Sequence, residues 1–139
     1  MEIRNIPYEL TWNMRHSVMW PDETIEYVKL PNDKDGLHFG LFVDDQMISV
    51  ISLFKTGDSA QFRKFATLNS EQGKGYGSKL LNYLFLQVDD SETAKVWCNA
   101  RADKIHFYKR FGMHQTEKKF IKGGKSYVIM EKCNQNTLL

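Results

Sequence analysis

The chain has 139 residues, 42% of them hydrophobic and 13% aromatic, which fits one domain spanning residues 1–139 with a sizeable core. Its 19 basic and 17 acidic residues give a formal charge of +2. That balance is too even to make nucleic acid or an anionic membrane the main partner, although it permits a local basic site for a small anion. Two cysteines, Cys98 and Cys133, form no CxxC pair and are too few for a disulfide framework, so reduced thiols and a cytoplasmic setting are expected.

The opening MEIRNIPYEL has no basic region followed by an apolar run, so no secretory signal is expected. MEIRNI reads as a short first strand. Tyr8 to Met19 reads as a helix, with Leu10, Met14 and Val18 at four-residue spacing and Pro21 as its stop. Asp22 to Leu30 is ambiguous between a helical turn and an extended piece, and Pro31 to Gly36 is a loop by composition. Leu37 to Val43 and Met47 to Phe54 are strands flanking the turn Asp44-Asp45-Gln46. After a turn at Gly57-Asp58-Ser59, Ala60 to Leu68 is a further strand. Gly75 to Val88 is the strongest helix, with Leu80, Leu81, Leu84 and Val88 on one stripe. Lys95 to Asn99 is a short strand, and Ala102 to Phe111 a helix closed by Gly112. Gln115 to Ile121 and Ser126 to Lys132 form a final hairpin across Lys122-Gly123-Gly124-Lys125. The order predicts a mixed α/β (α+β) fold. No apolar run nears the roughly 20 residues needed to cross a bilayer. His16, His38, His106 and His114 show no metal-ligand spacing, so no metal is expected.

The segment Glu71 to Leu81, EQGKGYGSKLL, carries the chemistry. Glycines directly before a helix let a phosphate approach the unpaired first-turn amides, where the helix dipole adds positive charge. A Walker loop is excluded, because the residue five after Gly73 is Ser78. In a GxGxxG dinucleotide loop the third glycine would fall one residue later than Gly77. What fits is [Q/R]xxGx[G/A], with Gln72, Gly75 and Gly77. A second segment, VWCNARADKIHFYKRFGM, follows one helix and one strand later, with Asn99 at its strand and Phe107, Tyr108, Gly112 and Met113 beyond.

In these two segments the chain resembles the GNAT superfamily of N-acetyltransferases, and the likeness covers essentially its whole length. The resemblance implies a mixed, mostly antiparallel central sheet, splayed between its middle strands, with helices on both faces. It implies acetyl-CoA as co-substrate and a primary amine of a small molecule, peptide or protein as acceptor. Ala66, Thr67 and Leu68 would run beside the pantetheine arm. Gln72, Gly73, Lys74, Gly75, Tyr76, Gly77 and Ser78 would cradle the pyrophosphate, and Asn99 would hydrogen-bond the arm. Tyr108 would protonate the departing thiolate, since a phenol with a pKa of about 10 is protonated at neutral pH. Tyr108 stands nine residues after Asn99, against seven or eight in the commonest family spacing, and Asp103-Lys104 replaces a small residue early in the helix.

Other roles stay open. Tyr108 can equally be a core aromatic beside Phe107. The general base is a water chain, His38 or His106, because the strand Gln61 to Thr67 holds no carboxylate. Arg63 is a candidate for a substrate carboxylate or for a structural ion pair. Arg101 reaches cofactor phosphate or solvent, and Trp20 lines the acceptor site or packs in the core. The closing hairpin offers a surface for a homodimer. Two other readings compete: a GNAT-like module that binds CoA without turnover, and a Cys98 nucleophile paired with His106.

Overall fold

A computed structural model describes residues 1–134. Seven strands are present: β1 (Glu2–Asn5), β2 (Leu37–Val43), β3 (Gln46–Thr56), β4 (Ser59–Thr67), β5 (Lys95–Arg101), β6 (His114–Lys122) and β7 (Lys125–Cys133). Three α-helices accompany them: α1 (Glu9–Met14), α2 (Tyr76–Gln87) and α3 (Ile105–Lys109). The strands form one sheet in the order β1-β2-β3-β4-β5-β7-β6. Within it β4 and β5 run parallel. The pairs β1–β2, β2–β3, β5–β7 and β6–β7 run antiparallel. A two-residue link joins β3 to β4, which only antiparallel strands allow. Among the described residues, no helix is long and apolar enough to cross a membrane.

Two compact units can be distinguished. The first comprises Met1–Phe54 and Phe62–Leu86. Its β2–β3 hairpin turns through Asp44 and Asp45, both at positive φ (51° and 62°), a primed turn whose twist matches the strands. Gln46 therefore belongs to β3 and not to the turn. On α2, Leu80, Leu81 and Leu84 are fully buried, as their spacing predicts. On α1 the buried side chains are Thr11 and Met14, followed by Arg15 just beyond its end, while Leu10 is half exposed, so the expected stripe is turned by one position. Met14 packs with Val50 and Ala66, flanked by Ile6, Val18, Met19, Met47 and Leu68. Beyond Met14 the helix widens to a π-turn over Arg15–Met19, and Asp33–Asp35 makes a 3-10 turn inside the expected loop.

The second unit comprises Lys55–Gln61 and the residues from Gln87 on. Here β5 pairs with β7 along its whole length, from Lys95↔Cys133 to Arg101↔Tyr127. The parallel ladder is short: Ser59, Ala60 and Gln61 pair with Lys95, Val96 and Trp97. The helix expected over Ala102 to Phe111 is a 3-10 turn, Ala102–Lys104, followed by the five residues of α3. Neither piece has a side-chain cap at its start, so the first turn tightens instead of opening as α-helix. Gly112, at φ +87°, ends the helix as predicted, and the Met113 amide reaches back to the Tyr108 carbonyl at 3.3 Å.

Candidate active site

The glycine segment keeps its backbone open. Gly73 and Gly75 sit in the left-handed region at φ +80° and +86°, which other residues enter only with strain. The first bond of α2 runs from the Lys79 amide to the Gly75 carbonyl at 3.2 Å. Ahead of it, the amides of Tyr76, Gly77 and Ser78 have no partner within the helix. Gly77 has a different reason to be glycine. A Cβ there would stand 3.2 Å from Phe65 Cζ and 3.5 Å from Thr67 Oγ1, so its absence lets the first turn of α2 lie against β4.

Side chains of this segment mostly brace it. The Gln72 amide donates to the Thr67 carbonyl at 3.0 Å and to Asn69 Oδ1 at 3.1 Å, tying the loop to the end of β4. Lys74 is exposed and pairs with Glu71 at 2.9 Å, a contact that raises its pKa. On β4 itself the Ser49 hydroxyl donates to the Ala66 carbonyl at 2.9 Å, and the Leu68 amide donates to the Ile48 carbonyl. Ala66 is buried, and Thr67 and Leu68 are partly so.

Lys64 adopts φ +55° in mid-strand, a conformation that costs a non-glycine residue about 1–2 kcal/mol. It breaks the alternation of β4. Phe62 meets Phe85 of α2 edge-on, with ring centroids 6.2 Å apart, and Phe65 lies over Gly77. Ala66 instead packs with Met14 of α1, and the charges of Arg15 and Asp33 act on Arg63. Residues 62 and 65 thus face α2 while 66 faces α1, an offset that an unbroken strand forbids, and Arg63, the neighbour of Phe62 on the strand, falls on the side opposite α2. Strain of this kind in a strand that borders a glycine loop is a mark of a functional site.

In the second unit, Asn99 is exposed on β5, and Tyr108 on α3 is half buried with its ring 5.2 Å from Phe107. Burial, with Cys98 nearby, pushes the Tyr108 phenol up, so it stays protonated through the neutral range. Burial likewise pushes the Cys98 thiol up, and the side chain is almost wholly covered. A thiol so held is a poor nucleophile, and His106 is exposed, which corrects the Cys98–His106 reading. Arg101 is exposed, with Asp103 at 3.6 Å.

A polar cluster that no local pattern announces is buried in the first unit. Arg15 and Asp33 form a two-pronged ion pair, with both contacts at 2.9 Å and neither side chain more than 3% exposed. Arg15 also donates to the Val28 carbonyl and to Ser52 Oγ, each at 3.0 Å. Asp33 further accepts from Trp12 Nε1 and from the Leu30 amide. Burial alone would raise the Asp33 pKa, but Arg15, the Leu30 amide and Trp12 together hold it below the usual carboxylate range. His38 Nε2 donates to the Asp33 carbonyl at 2.8 Å, so Nδ1 accepts from the Ser52 hydroxyl at 2.7 Å. Burial depresses the His38 pKa, and both ring nitrogens are used. His38 is therefore a structural histidine, not the general base. Trp20 is half buried against Tyr27, ring centroids 5.1 Å apart.

Residues 11–133 match the family model described as Acetyltransferase (GNAT) domain. The chain belongs to the GNAT family of acetyltransferases, and the enzyme is an acyltransferase. Among its relatives is YitI of Bacillus subtilis, named as an uncharacterized N-acetyltransferase, 28% identical over 142 residues that cover 95% of each chain. The fold is similar to that of Escherichia coli ElaA, with a TM-score of 0.81 and 14% identity over 94% of this chain and 98% of that one. It is also similar to that of a Bacillus subtilis acetyltransferase in complex with CoA, with a TM-score of 0.69 and 16% identity over 94% and 96% of the two chains.

Proposed function

We propose that the enzyme moves an acetyl group from acetyl-CoA directly to a primary amine of a small molecule, peptide or protein. The observation that carries the reading is the loop before α2, where left-handed Gly73 and Gly75 precede the unpaired amides of Tyr76, Gly77 and Ser78. Those amides, with the helix dipole behind them, are suited to the pyrophosphate of CoA. The CoA complex of a structural relative supports the same choice of cofactor. No metal enters the scheme.

In this reading Gln72 holds the loop in shape and Lys74 adds diffuse positive charge. Ala66, Thr67 and Leu68 present backbone to the pantetheine arm, and Asn99 offers it an amide. The neutral amine attacks the thioester carbonyl, the C–N bond forms, and the C–S bond then breaks. The nitrogen gives up one proton and the sulfur gains one, yielding acetamide and free CoA thiol. Tyr108, protonated at neutral pH, donates to the sulfur as its charge develops. With His38 committed to Ser52 and Asp33, solvent takes the amine proton.

Release of free CoA thiol, followed across a panel of primary amines, tests this. Wild-type protein is expected to release thiol in step with acetamide formation. Tyr108→Phe is expected to lower kcat by about 10²–10⁴-fold with unchanged acetyl-CoA affinity. If no amine is acetylated while CoA still binds, the binding-module reading replaces this one.

A further inference from the structure

The α1 side of β4 carries one charge too many. Arg15 and Arg63 both lie in the field of Asp33. Asp33 is already used up: one oxygen accepts from Arg15, and the other accepts from Arg15, Trp12 and the Leu30 amide. Arg63 is only partly exposed, and among the described residues its guanidinium has no hydrogen bond and no ion pair. Burial lowers its pKa, and the neighbouring charge of Arg15 lowers it further. A guanidinium held this way is a fork of donors set for a planar anion.

We propose that Arg63 binds a carboxylate carried by the amine acceptor, which makes amino carboxylic acids the acceptor class. This rests on the reading that the thioester arm lies beside Ala66, Thr67 and Leu68. Arg63 is three residues upstream of Ala66, at most about 10 Å away, since Lys64 interrupts the extended strand between them. An arginine side chain spans much of that interval, so amine and carboxylate belong to one small molecule. The positive φ of Lys64 is what brings Ala66 to the same side as Arg63, the side opposite Phe62.

The test compares amino acids with their amides, which keep the amine and lose the charge. Wild-type protein is expected to prefer the acids. In Arg63→Met the KM for acids is expected to rise about 30-fold or more, the loss typical of a desolvated charge pair. The amides, the acetyl-CoA affinity and Tm are expected to hold, and Arg63→Lys to recover part of the preference. A second readout does not depend on turnover. With coenzyme A bound, the Arg63 Nε–Hε resonance, assigned by its loss in Arg63→Lys, is expected to move on adding the acid and not the amide. The proposal is overturned if that resonance ignores the acid or responds fully to coenzyme A alone, which would make a cofactor phosphate the partner. It is also overturned if Arg63→Met lowers Tm and slows acids and amides equally. Failure of the acetyltransferase reading would look different: the resonance would follow the acid, yet no amine would release thiol.

Discussion

Two polar groups of residues belong to the first unit and have opposite fates. Around Asp33, the main polar atoms of Arg15, His38 and Ser52 close on one another, and Trp12 and the backbone of Val28, Leu30 and Asp33 complete the set. On β4 and the loop after it, the Arg63 guanidinium and the amides that open α2 are left without such partners among the described residues. Buried polar groups are normally satisfied, because leaving them bare is costly. The first group therefore reads as scaffold, and the second is where we propose that ligands bind.

The comparison predicts that variants in the two groups separate cleanly. Asp33→Ala should have the largest effect, destabilising the fold by about 3–5 kcal/mol, because it leaves Arg15 buried and unpaired. Urea unfolding measures this, and the molecules that remain folded should bind acetyl-CoA as before. Gly75→Val should do the reverse. Its left-handed φ would cost a branched residue about 1–2 kcal/mol, and the loop should shift to escape, lowering acetyl-CoA affinity about tenfold or more with a smaller change in the unfolding midpoint. Gln72→Ala should be milder still, below about 1 kcal/mol in stability for an exposed hydrogen bond, with a loss of affinity of a few fold.

The pH dependence sharpens the contrast. Asp33 is held below its unfolded pKa of about 3.9, so its contribution is present above that value and is lost as pH falls through the lower folded value. His38 is depressed from about 6.5 by burial. Below that pH the unfolded chain takes up a proton that the folded chain refuses, and stability declines. Melting curves should fall gently below pH 6.5 and steeply below pH 4, and Asp33→Asn should flatten the steep limb. A single acid transition with no gentle limb would show that His38 is not held neutral as described.

Much of the fold could be read from local pattern. The stripe on α2 named Leu80, Leu81 and Leu84, and all are buried. The glycines marked a stretch of free backbone ahead of the helix, and in the structure Gly73 and Gly75 use that freedom at left-handed φ. What could not be read depends on distant partners. Asp33 looks like any loop aspartate until Arg15, 18 residues earlier, meets it. Leu10 has the right spacing for a buried stripe, but Thr11 and Arg15 turn inward instead, Thr11 with its hydroxyl on the Tyr8 carbonyl and Arg15 because the Asp33 cluster receives it. Lys64 carries no sign of a positive φ, since the offset comes from fitting Phe62 and Phe65 to α2 while Ala66 meets α1.

We propose that the loop before α2 and the end of β4 together form a site for CoA. Calorimetric titration with acetyl-CoA, coenzyme A and ADP side by side tests it most directly. Micromolar binding of the first two, with ADP much weaker, is the predicted result, because loop and strand then both contribute. Absence of CoA binding, or ADP binding as tightly as CoA, would contradict it and reduce the glycine segment to a plain helix start or a generic phosphate loop.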